Sequence, residues 1–178
     1  VFMGYKIPGV TSDEASALDL LATILGESRS SRLYSGIVYR KKLAKSASSF
    51  IWGNELGGLM VISCVGLYNS DLTVLEKNIS LEIENIISSL VTESELEKAK
   101  NNLESALVDT LQSNIGKAEI LGYFTTYFKN PELINSLIDK YSKITVTDLK
   151  NAASKYLTPE NRVVLYYLNK TNGKEYFI

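Results

Sequence analysis

The sequence predicts an α+β fold, a largely antiparallel sheet covered on one face by helices. Three features predict it: an alternating apolar segment opens the chain, two further strand-like segments flank the turn-forming run GNELGG, and helical periodicity dominates most of the remaining residues. Strands paired through one hairpin, with helices grouped after it, build layers rather than alternating parallel units.

Val1, Met3, Tyr5 and Ile7 alternate to one side of a first strand, which Pro8-Gly9 stops. In TSDEASALDLLATILG, Thr11 with Glu14 three residues on has the spacing of a capping box. Ala17, Leu18, Leu21, Ile24 and Leu25 make one helix face, which carries no ligand-type residue, and Gly26 closes the helix. Ser30 or Ser31 caps a second, short helix with Leu33, Ile37 and the stem of Tyr34 on one side, expected to fray near Lys42. Lys45 to Trp52 and Gly58 to Tyr68 form the hairpin.

A long helix comes next, capped by Asn69, Ser70 or Asp71, with a stripe from Leu72 through Ile79 and Ile86 to Leu90. Thr92 and Glu95 repeat the capping-box spacing ahead of a helix striped by Leu96, Ala99, Leu103 and Leu107, whose charged residues face water. The next helix, in SNIGKAEILGYFTTYFKNP, is weakened by Gly116 and Gly122. Pro131 opens another, running toward Tyr141. Thr145 and Asp148 start a last helix, Pro159 stops it, and RVVLYYL, Arg162 to Leu168, closes as a strand. Residues 1–168 are expected to form a single domain, and 169–178 a dispensable tail.

With 178 residues, 45% of them hydrophobic, the chain can bury one core, removing about 70% of its unfolded surface from water. The net charge of -1 gives no long-range field to draw in nucleic acid, and no apolar run reaches the length of a membrane span. The chain contains no histidine and one cysteine, Cys64, among apolar neighbours. Most zinc sites and the usual Ser and Cys triads depend on imidazole, so neither is expected here. Lys45 and Ser46 are adjacent in a strand and are expected to point to opposite faces, which argues against a Ser-Lys dyad. The basic run Arg40, Lys41, Lys42 and Lys45 lies where a helix ends, where cations are favoured by the macrodipole without any bound phosphate.

Several stretches in order carry a resemblance to a known family: ILGESRSSRLY, IVYRKKLAKSASSF, TESELEKAKNNLESAL and ITVTDLKNAASKYLTPENRVVLYY. Together they resemble the C-terminal half-domains of the insulinase or pitrilysin family of zinc metallopeptidases, including the mitochondrial processing peptidase group. The resemblance covers nearly the whole chain. It implies a duplicated architecture in which two α+β domains enclose a peptide-holding chamber. The N-terminal one would carry the zinc, and one like this chain would hold no metal and wall the chamber. The expected partner is therefore that zinc-binding domain, in the same polypeptide or in another subunit, and the expected ligand is a peptide or unfolded protein.

Family members often contribute an Arg and a Tyr from this helix and the strand after it. Ser31, Arg32, Leu33, Tyr34, Ile37, Leu43 and Ala44 fit the pattern, but the family Arg falls on Val38, a Gly on Lys42 and the Tyr on Lys45. Arg40 is a poor substitute, since two helical residues rotate a side chain roughly 200°. No catalytic residue is therefore expected, and the substrate-chamber candidates are Lys45, Arg32 and Tyr34. The first residue, Val1, is in mid-pattern, as expected of a piece of a longer, soluble chain of a bacterial periplasm or cytoplasm. Competing readings are an assembly module with no part in proteolysis and an unrelated binding domain with the same element order.

Overall fold

The computed structural model describes residues 1–168, so the expected tail lies outside the described residues. Four antiparallel strands, β1 (Phe2–Pro8), β2 (Ala44–Gly53), β3 (Gly57–Gly66) and β4 (Arg162–Leu165), lie in the order β2-β3-β1-β4. Six α-helices accompany them: α1 (Ala15–Ala22), α2 (Leu72–Ser89), α3 (Glu93–Gln112), α4 (Asn114–Phe128), α5 (Leu137–Ser142) and α6 (Val146–Tyr156). This is the expected α+β arrangement.

Strand alternation divides the sheet into two unlike faces. Met3, Tyr5 and Ile7 of β1 pair with Ile62, Met60 and Gly58 of β3, and the large side chains among them are buried under helices. Leu18, Leu21 and Leu25 from the α1 region and Leu75, Ile79 and Ile83 from α2 complete the core. The neighbouring positions Phe2, Phe50, Trp52, Leu59, Val163 and Leu165 point the other way and are exposed. A one-residue slip in register would exchange these sets, so the buried face fixes the pairing.

Local signals explain most boundaries. The Asp71 carboxylate accepts from the Thr73 backbone N–H at 2.8 Å and caps α2. Thr92 with Glu95 and Thr145 with Asp148 form complete capping boxes at α3 and α6. At α1 the expected box is absent. Glu14 instead accepts two hydrogen bonds from Lys155 Nζ, each at 2.9 Å, and one from the Tyr156 hydroxyl on α6. A long-range cation thus outcompetes the local cap.

Gly26 does not close α1 either. The chain continues through a π-helical turn, Thr23–Glu27, and a Cβ at Gly26 would lie 1.9 Å from the Ser49 backbone nitrogen. Glycine is needed here so that helix and β2 can meet. The short helix after it is largely π-helical, Tyr34–Arg40, and the element expected from Pro131 splits into a 3-10 turn, Pro131–Ser136, followed by α5. The final strand is shorter than expected, ending at Leu165.

Candidate substrate-facing site

The helix-to-hairpin stretch carries the three candidates, and its backbone separates them. Ser31 Oγ accepts from the Tyr34 N–H at 3.4 Å, and Leu33 and Ile37 anchor the segment in the core at 0% exposure. That anchoring leaves Tyr34 half-buried and turns Arg40 and Lys41 outward. The Arg40 Nε donates to Ser35 O at 3.3 Å, while Lys41 Nζ donates to Asn78 Oδ1 at 2.7 Å and lies 3.8 Å from buried Glu82. Gly36 is the close-approach point, because a Cβ there would lie 2.3 Å from Glu82 Oε1.

Arg32 faces α3. Its Nε donates to Glu95 Oε1 at 2.8 Å, and its Nη2 donates to Glu95 Oε2 at 2.9 Å and to Leu90 O at 3.0 Å. The same carboxylate accepts from the Thr92 N–H in the α3 capping box, at 2.9 Å. The guanidinium, with the Thr92 N–H and hydroxyl, holds the Glu95 carboxyl down at about 2. Arg32 thereby ties the short helix to α3 through a bidentate pair, a geometry lysine cannot supply.

Lys45 sits at a register shift in the β2–β3 ladder. Ala44 faces Gly66 and Ser46 faces Val65, so Lys45 is the extra residue of a bulge. Strict alternation fails here, and Lys45 and Ser46 are both exposed rather than sent to a buried and an open face. No carboxylate oxygen lies within 4.0 Å of the Lys45 ammonium among the described residues. Val38, where the resemblance places an Arg, packs its side chain against the core, and Lys42, where it places a Gly, has the left-handed φ of 51°. The backbone therefore keeps the glycine conformation although the side chain has changed.

A zinc ion does not fit these residues. There is no imidazole, and among the described residues no three Cys, Asp or Glu side chains converge as a ligand set. Cys64 is buried, and desolvation pushes its thiol up to about 11, so it behaves as a small core hydrophobe.

A carboxylate that sequence periodicity passes over, Asp19, lines a cavity between α1, α4 and α5. Its Oδ2 accepts from the Tyr141 hydroxyl at 2.9 Å, and burial pushes its pKa up from the ordinary carboxylate value. Asp19 lies off the apolar face of α1, and its hydrogen-bond partner is 122 residues away.

Residues 1–103 match the peptidase M16 inactive domain. The zinc protease PqqE of Helicobacter pylori is 30% identical over 159 residues, covering 88% of this chain and 35% of its own length. This chain therefore spans about a third of that relative. A solved Helicobacter pylori protease superposes with a TM-score of 0.83 at 26% identity, over 90% of this chain and 39% of that one. An inactive peptidase domain from Bordetella parapertussis shares the fold at 24% identity with a TM-score of 0.81, over 94% of this chain and 91% of that one.

Proposed function

The chain belongs to the family of peptidase M16 inactive domains, and on that premise we propose that it is the substrate-enclosing wall of a zinc-dependent peptidase acting on peptides or unfolded proteins. The zinc and the residue that activates water belong to an N-terminal domain, in the same polypeptide or in a partner subunit. That domain would supply the nucleophile and the Lewis acid, and this chain's part is to exclude water and hold peptide. The observation that carries the reading is the one-sided sheet. Helices cover one face, while Phe50, Trp52, Leu59, Val163 and Leu165 are exposed together on the other, an apolar surface of the kind that marks an interaction site.

Among the chamber candidates, Lys45 is the strongest. It is exposed on the bulge at the start of β2, and bulges re-aim side chains beside functional sites. Its ammonium would meet a peptide carbonyl or carboxylate, and Tyr34 would add a partly exposed aromatic surface. Arg32 would act indirectly, by holding the helix that carries Tyr34.

The test compares turnover of an unfolded peptide by the zinc-bearing domain with and without this chain. Cleavage is expected to need the zinc domain and to rise substantially when this chain is added. Unchanged turnover, with assembly of the two confirmed, would favour the assembly module instead.

A further inference from the structure

We infer that the cavity around Asp19 is a binding site for an organic cation, an alkylammonium or guanidinium carried on an apolar stem. The space has two adjoining lobes, of about 370 Å³ and about 320 Å³, that share Val10, Ala15, Asp19 and Tyr123. Each lobe has the size of a small-ligand site, and apolar and aromatic side chains predominate in their walls. Tyr123 forms an edge contact with Phe124 at 5.5 Å between ring centroids, and Phe124 lies 5.2 Å from Phe128. All three rings line the larger lobe.

Asp19 gives this apolar space a sign. One carboxylate oxygen accepts from Tyr141, and the other accepts no hydrogen bond from the described residues. Lys140 lines the same lobe, yet no Lys or Arg nitrogen among the described residues comes within 4.0 Å of Asp19. A half-satisfied carboxylate beside aromatic rings suits a cation: the oxygen accepts its proton, and the ring quadrupoles favour its charge. A neutral group of the same shape gains only the apolar contact. Binding in this cavity needs no second domain, so it stands or falls apart from the peptidase reading.

The experiment titrates the 178-residue chain with n-butylammonium, n-butylguanidinium and neutral 1-pentanol, following backbone amide NMR shifts at Tyr123 and Tyr141. The cations are expected to bind on the order of tenfold more tightly than the alcohol. Asp19→Asn should remove that preference while leaving alcohol binding unchanged, with circular dichroism verifying the fold. Equal binding of cation and alcohol to the unsubstituted chain would overturn the inference, and this comparison needs no variant. So would a cation preference that persists in folded Asp19→Asn. Blocked tripeptides with central lysine or norleucine separate the sources. Lysine-dependent peptide binding points to a protein side chain, and butylammonium binding without it points to a free amine.

Discussion

Two carboxylates in the helical layer, Glu95 and Asp19, have opposite fates. Glu95 sits in a filled seam, where the adjoining void is only about 30 Å³, and Arg32 and Thr92 satisfy both of its oxygens. Asp19 borders a lobe of about 370 Å³ and receives one hydrogen bond from a phenol. Donors draw the first pKa down, and burial pushes the second up. The contrast separates a polar group that fastens the fold from one left available to a ligand.

The largest expected effect lies where the helical layer meets β2 most closely. Gly26→Ala should destabilise the chain by about 3 kcal/mol in urea unfolding, since its methyl would be driven into β2 backbone that is unable to yield cheaply. Next is Arg32→Ala, expected to cost about 1–2 kcal/mol, toward the lower end because Glu95 is 35% exposed and solvent screens the pair. The pair's contribution should be complete above the ordinary Glu value of 4.5 and fade as pH falls toward about 2. Unfolding midpoints of the parent and Arg32→Ala should therefore converge on acidification.

Asp19→Asn should behave in the opposite sense, at about 1 kcal/mol or less. The raised pKa of Asp19 means its contribution is present below the unfolded carboxyl value and is lost as pH rises through the folded one. Burial, and to a smaller degree Glu27, opposes its charged form, while Tyr141 and Lys140 from α5 favour it; Tyr123 on α4 is likewise raised, by burial first and by the Asp19 charge second. Asn, being uncharged, should gain on the parent as pH rises toward neutrality. A parallel pH dependence for Arg32→Ala and Asp19→Asn would erase the distinction.

How much of the molecule is legible in the sequence depends on the distance between partners. The stripes of α2 and α3 and the boxes at Thr92 and Thr145 are readable because their members lie three or four residues apart. Thr11 and Glu14 have the same spacing, but Lys155 and Tyr156 claim the carboxylate from 141 and 142 residues away. Asp19 escapes a sequence reading for the same reason. The bulge at Lys45 depends on the pairing of β2 with β3, and the π-helical turns on how they seat against β2, α2 and α3, which periodicity does not encode.

The smallest effects concern the helix end. Lys42→Gly should stabilise by about 0.5 kcal/mol, because the left-handed backbone there suits glycine and the unfolded-state entropy of glycine offsets part of the gain. Lys45→Ala should leave stability within about 0.5 kcal/mol of the parent. In the assembled peptidase it should lower turnover more than Lys41→Ala, and equal effects would remove Lys45 from the chamber.

Metal content and peptide cleavage, measured together on the purified 178-residue chain, bear most directly on the claim that this is a wall without chemistry of its own. The expected result is no stoichiometric zinc and no hydrolysis of an unfolded peptide. One tightly held zinc per chain, with cleavage that a chelator abolishes and zinc restores, would contradict it.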